Sequence, residues 1–167
     1  MDQKLEKRKV PAPHAVTDGE IILATCDIPM SPERVYDAIT TKEMEKWWGE
    51  DDVYWVKDYD ADLQVGGKWT LNVVGPDGTP RPASGIFLEL DKPSKLVITR
   101  KYDWEFPGLG TWPTKVTYLI EPSGEGSKVI VRHEDFNGAA NAAFAHEEGW
   151  ERYLGWLREY AFKKTMQ

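Results

Sequence analysis

The side chains with the most versatile chemistry in this sequence are three histidines and one cysteine. His14, His133, His146 and Cys26 lie far apart along the chain, and no His-x-x-x-His or Cys-x-x-Cys pair occurs. A structural zinc site needs closely spaced ligands, so we expect no metal and no cofactor. No Gly-x-Ser-x-Gly motif is present, and Cys26 lies in an apolar segment, where a cysteine behaves as a small buried hydrophobic residue.

Two other polar residues occupy strand positions that otherwise carry inward-facing apolar side chains. Arg100 shares its face with Leu96 and Ile98, and His133 shares its face with Val131. A polar group inside an apolar cavity must either bond within the protein or meet a ligand. Both alternatives stay open at this point. In the second, Arg100 orients a ligand and His133 is a candidate catalytic acid or base.

The elements that would position these residues are mainly strands. Residues 20–28 predict a first strand. Ser31, followed by Pro32 and Glu33, begins a short helix, and Thr40 with Glu43 begins a second. From residue 53 to residue 134, alternating apolar and polar residues separated by turn signals predict further strands. Strands joined by short turns pair antiparallel, so we predict one curved sheet of about six or seven strands.

A long C-terminal helix follows. Across residues 146–160, Gly149, Trp150, Tyr153 and Leu157 recur at helical spacing and form one wide apolar face. We expect this helix to begin between residues 138 and 146, with His146 as a packing or capping residue. Its apolar face needs a large partner, and the concave side of the sheet provides one. The fold class is therefore α+β with two layers.

Composition limits the classes of function. The 167 residues carry a net charge of −7, which argues against a nucleic-acid partner. No apolar run is long enough for membrane insertion. A single cysteine fits a reducing compartment, and we expect a cytoplasmic protein. Residues 1–18, which include a basic cluster at residues 4–9, predict a mobile N-terminal arm, and residues 19–167 predict a single domain.

Several motifs resemble one family. The sequence is similar to the START-like superfamily (SRPBCC, helix-grip fold), and within it to homologues of the activator of the heat-shock-protein-90 ATPase. The matching stretches are Ser31-Pro32-Glu33-Arg34-Val35-Tyr36-Asp37-Ala38, Trp47-Trp48, Val65-Gly66-Gly67, Asp91-Lys92-Pro93, His133-Glu134-Asp135-Phe136 and His146 with Gly149-Trp150. The resemblance covers roughly residues 20–162. It implies a hydrophobic cavity between the sheet and the last helix, which relatives use for lipids, polyketides, hormones or partner proteins.

We therefore expect a non-catalytic domain that binds a small hydrophobic or amphipathic molecule in this cavity. The candidate ligand-binding residues are Trp69, Arg100, Trp104, Tyr118, His133 and Trp150. The first alternative is an enzyme of cyclase or hydrolase type that uses His133 as acid or base. The second is a protein-interaction module like the co-chaperone, although its extra N-terminal domain has no counterpart here. The apolar loop of residues 104–113 would cap the core, contact a second copy in a homodimer or cover the mouth of the cavity, and we favour the first two over the third.

Overall fold

The computed structural model describes residues 12–165. Within them, nine strands and three helical segments follow one another along the chain, in this order: β1 (His14–Asp18), β2 (Ile21–Ile28), α1 (Pro32–Thr40), a 3-10 helix (Lys42–Lys46), β3 (Gly49–Glu50), β4 (Tyr54–Ala61), β5 (Lys68–Val74), β6 (Pro80–Asp91), β7 (Lys95–Tyr102), β8 (Thr114–Ser123), β9 (Gly126–Glu134) and α2 (Ala140–Thr165). The strands form one sheet in the order β1-β2-β9-β8-β7-β6-β5-β4-β3.

The predicted fold class is confirmed, because the long C-terminal helix packs on a curved antiparallel sheet. The strands number more than the six or seven predicted. Part of the difference is β1, which pairs antiparallel with β2 from Asp18 opposite Ile21 to His14 opposite Thr25. Residues 14–18 are therefore part of the sheet, and their assignment to an N-terminal arm was wrong. The rest of that predicted arm, before Ala12, lies outside the described residues.

The two short helices begin at local capping residues. The Ser31 side chain accepts a hydrogen bond from the backbone N–H of Arg34, as predicted for the start of α1. At the second helix the cap is Thr41 and not Thr40, since the Thr41 hydroxyl accepts from the N–H of Glu43. Thr40 is buried and donates back to the Tyr36 carbonyl, so it still belongs to α1.

Helix α2 begins at Ala140, inside the predicted interval, and packs closest on β1 and β2. The first strand holds the helix at two points. The backbone N–H of Ala15 donates to Glu151, and the Thr17 hydroxyl donates to Glu147. Because α2 packs closest on β1 and β2, its other side lies over β7 without close packing, and a cavity opens there. No helix within residues 12–165 is long and apolar enough to span a membrane.

Candidate functional site

A cavity of about 270 Å³ lies between α2, the sheet and the segment that follows β7. Aromatic side chains form much of its wall, with Arg100 among them and Arg152 paired with Glu148 at the rim. The lining residues are Trp48, Tyr54, Val73, Arg100, Tyr102, Trp104, Phe106, Ala145, His146, Glu148, Gly149, Trp150, Arg152 and Tyr153. Such a wall, apolar with a few polar groups, is typical of a small-molecule site.

Helix α2 contributes two small residues, Ala145 and Gly149, to the wall of this cavity. Gly149 lies in the lining, and a Cβ placed on it would meet no heavy atom within 4 Å. Space is therefore open on this turn of the helix, beside Trp150. At the rim, Arg152 and Glu148 pair across one helical turn at 2.7 Å; the Arg152 side chain is about half exposed and that of Glu148 is largely exposed. The charges at the rim are thus already matched to each other.

Of the six predicted ligand-binding residues, three line this cavity: Arg100, Trp104 and Trp150. Trp69 and Tyr118 line a smaller space of about 30 Å³ deeper in the fold. Trp48, Arg100 and Tyr153 border both spaces, so they separate the cavity from the space beneath it.

His133 is not part of either lining. Its side chain is 1% exposed, and both ring nitrogens have partners inside the protein. The Trp150 indole N–H donates to Nδ1 at 3.0 Å, so Nδ1 carries no proton. Nε2 therefore carries it and donates to the Thr114 hydroxyl at 2.7 Å, and that hydroxyl donates to the Arg100 carbonyl at 3.0 Å. This geometry does not favour His133 as an acid or base for a molecule in the cavity.

His146, which the sequence suggested only as a packing or capping residue, does face the cavity. Its Nδ1 lies 2.7 Å from the Ala142 carbonyl, which can only accept, so Nδ1 is the protonated nitrogen. The other nitrogen, Nε2, accepts from the Tyr102 hydroxyl at 2.7 Å. The hydroxyl of Tyr102 is thereby held by the protein and is not free to donate to a ligand.

Both histidines are uncharged at neutral pH. Burial lowers the pKa of His133 well below its ordinary value, and the nearby His146 and Arg100 lower it further. Burial, followed by the charge of Arg100, lowers the pKa of His146 to about 4, against a smaller opposing effect of its bond to Ala142. Arg100 is therefore the source of positive charge in the interior of the site.

Arg100 lies among rings. Its guanidinium carbon is 5.6 Å from the Trp48 ring centroid, 5.7 Å from that of Tyr102 and 5.9 Å from that of Trp150. These are cation–π distances, and they offset part of the cost of removing the charge from water. The Trp150 ring also meets Tyr153 edge-on at 5.1 Å and Tyr118 at 5.9 Å.

Several lining residues were not singled out from the sequence as ligand-binding. Trp48 belongs to the tryptophan pair of the family motif, but its spacing does not say which of the two rings faces the cavity. Trp47 packs toward α1, donating to the Ala38 carbonyl, while Trp48 donates to the Tyr54 hydroxyl. Tyr102 and Phe106 stack with their ring centroids 4.5 Å apart, and only the alternation after Arg100 indicated that Tyr102 would face inward.

Within residues 12–165, no group of three or more histidine, cysteine or acidic residues could hold a metal ion.

Solved structures with the same fold come from several bacteria. A protein from Rhodobacter sphaeroides superposes with a TM-score of 0.78 at 17% identity, covering 94% of this chain and 100% of that one. A protein from Nitrosomonas europaea gives 0.73 at 17% identity, with 91% and 100% covered. One from Mycobacterium smegmatis gives 0.72 at 18% identity, with 94% and 98% covered. At these identities the similarity shows the fold alone.

Comparison with curated proteins gave no match. The sequence does match a family model, described as Activator of Hsp90 ATPase homolog 1-like protein, over residues 29–161. That span includes every element from α1 to most of α2, and therefore all the walls of the cavity. The chain belongs to the family of activator of Hsp90 ATPase homolog 1-like proteins.

Proposed function

We propose that this protein binds a small hydrophobic or amphipathic molecule in the cavity beneath α2. The observation that carries the proposal is the cavity itself, about 270 Å³ enclosed by aromatic rings beside a helical glycine. Protein interiors are normally close-packed, and a space of this size sacrifices dispersion contacts. A bound molecule with apolar surface would restore those contacts.

The arrangement supports binding over catalysis. His133 and His146, the side chains best suited to acid–base work, are uncharged and bonded to partners within the protein. The thiol of Cys26 is buried, and burial raises its pKa to about 12, so it is a poor nucleophile. The single cysteine also supports a site of action in the cytoplasm.

Filling the cavity from the helix tests the proposal. The probe is indole, a small bicyclic ring system, and its binding is followed by saturation-transfer NMR and isothermal titration calorimetry. Gly149→Leu places a branched side chain in the empty space, so we expect indole affinity to fall at least about tenfold. Gly149→Ala is the matched control, because its methyl group leaves most of the space open.

Two results would overturn the proposal. One is that neither indole nor any other small aromatic molecule tested binds to the wild-type protein. The other is equal binding to wild-type protein and Gly149→Leu, which would place the bound molecule elsewhere on the protein. Thermal unfolding of each variant verifies that it is folded before affinities are compared.

A further inference from the structure

The guanidinium of Arg100 has no anionic partner. Within residues 12–165, no carboxylate lies within ion-pair distance of it, and its side chain makes no hydrogen bond. Glu148, whose carboxylate lies at the rim of the cavity, is already paired with Arg152. Arg100 is half-buried, so its charge has lost part of its hydration without gaining a counter-ion, and three ring faces compensate only part of that cost. A bound anion would compensate the remaining cost.

The other polar groups of the cavity wall also favour an anionic ligand. Tyr54 accepts a hydrogen bond from Trp48 and so keeps its own O–H to donate, and Tyr153 shares a hydroxyl–hydroxyl contact of 3.4 Å with Tyr118, in which either group can donate. Burial raises the pKa of the Tyr54 and Tyr153 hydroxyls, which therefore stay protonated at neutral pH. The Nε2 acceptor of His146 is occupied by Tyr102. The wall therefore offers free donors, the Tyr54 hydroxyl and the buried Trp104 indole N–H, which an anionic oxygen can satisfy.

The size and the walls define the rest of the ligand. The cavity volume of about 270 Å³ limits the size of the ligand. This volume is below the range of about 300–1,000 Å³ common for drug-sized ligands. Aromatic rings surround the space, so a flat ring can make edge or stacked contacts with them.

We infer that the ligand is a small aromatic carboxylic acid, with its carboxylate on Arg100 and its ring between Trp48, Trp104 and Trp150. The inference rests on the proposed binding function and specifies the class of its ligand. A planar guanidinium with two parallel N–H groups suits a carboxylate, which it can hold through paired hydrogen bonds. The tyrosine hydroxyls would add donors to the same oxygens.

An acid and its amide test this assignment, because phenylacetate and phenylacetamide share a shape and differ in charge. Calorimetry should show wild-type protein binding phenylacetate at least about tenfold more tightly than phenylacetamide, as expected for charge-assisted hydrogen bonds in a desolvated site. Arg100→Met keeps an unbranched apolar stem and removes the charge. In that variant the preference for the acid should disappear while the affinity for the amide is kept. Retained amide binding shows that the cavity has kept its shape.

Arg132→Met is the control for net charge. Arg132 is paired with Glu134 on β9, and its side chain is about half exposed, so the substitution removes one positive charge away from the cavity. It should leave the preference for the acid intact. Inorganic phosphate, an anion without an apolar body, should bind much more weakly than phenylacetate.

The outcomes separate the two proposals. Equal affinity of wild-type protein for acid and amide would overturn the carboxylate assignment and leave the binding function standing. Binding of indole without binding of phenylacetate would have the same meaning. Failure of indole and both phenyl compounds to bind would remove the binding function itself. If the preference for the acid persists in Arg100→Met, the carboxylate does not lie on Arg100 and the assignment fails.

Discussion

Trp150 links the helix to the sheet through both its ring and its N–H group. The side chain is 2% exposed and donates to His133, which donates in turn to Thr114. We expect Trp150→Ala to lower the free energy of unfolding by about 3–5 kcal/mol, as large aromatic truncations in cores do. Urea denaturation followed by circular dichroism measures this loss.

Phe144→Ala is the control for that substitution. Phe144 lies on the same helix but is 66% exposed, so its replacement should change stability by about 0.5 kcal/mol or less. A loss below about 1 kcal/mol for Trp150→Ala would contradict the anchoring role and would show that the ring serves the cavity alone.

At the level of single residues, the sequence predicted some of the residues that line the cavity and missed others for a physical reason. Arg100, Trp104 and Trp150 were predicted, since an arginine in an apolar alternation and a bulky ring on a helical face are visible as patterns. Trp48 and Tyr54 were missed because they lie around a turn and the two-residue β3, where periodicity says nothing about direction. The internal bonding of His133 needed three elements to meet, which no local pattern reveals.

Among the elements, α2 and β6 each contain a glycine whose replacement should have opposite effects. Gly149 lies within the helix with open space around it, and Gly85 lies in β6 directly beneath the Trp69 ring. A Cβ on Gly85 would come 1.8 Å from the Thr99 carbonyl oxygen and 2.5 Å from Trp69 Nε1. That close approach lets the Trp69 indole donate to Thr99 across the strand.

We expect Gly149→Ala to stabilise the protein by about 0.5–1 kcal/mol, because alanine loses less backbone entropy in a helix. Gly85→Ala should destabilise it by about 2 kcal/mol or more, since backbone and ring would have to move. Thermal unfolding of the two variants side by side measures both. A loss of stability in Gly149→Ala would mean that the helix is not open to a cavity at that turn.

The elements were predicted well where periodicity is long and poorly where it is short. Helix α2 and the order of the hairpins β4 to β9 follow from sustained alternation and turn residues. Strand β1 has only five residues, with the exposed pattern of an edge strand, and its pairing depends on β2 and on contacts with α2. Along β6 the exposed positions include Ile86 and Leu88, whereas Phe87 is buried, so apolar character alone does not identify the inner face.

For the molecule as a whole, the buried histidines make stability depend on pH. In the unfolded chain a histidine has its ordinary pKa near 6.5, whereas the pKa of folded His146 is about 4. Between these values the unfolded state binds more protons, so stability is fully present above pH 6.5 and falls as the pH is lowered. His146 alone accounts for roughly 3 kcal/mol between pH 7 and pH 4. His133, whose pKa is also lowered, adds to the loss.

Urea unfolding at a series of pH values measures this dependence. His146→Gln removes one of the two titrations, so its stability should change less with pH between 6.5 and 4, whatever its stability at pH 7. Parallel curves for wild type and variant across that interval would show that His146 is not held uncharged by the fold.

The placement of Arg100 among tryptophans also has an optical consequence. Indole emission responds to the electric field of nearby charges, and the half-buried guanidinium of Arg100 lies 5.6 Å from the Trp48 ring and 5.9 Å from the Trp150 ring, where water screens its field less than in bulk solvent. An anion that reaches Arg100 cancels much of this field, while a neutral molecule of the same shape does not. The wavelength of the protein's own fluorescence would thus report the charge of whatever occupies the cavity, without any added dye.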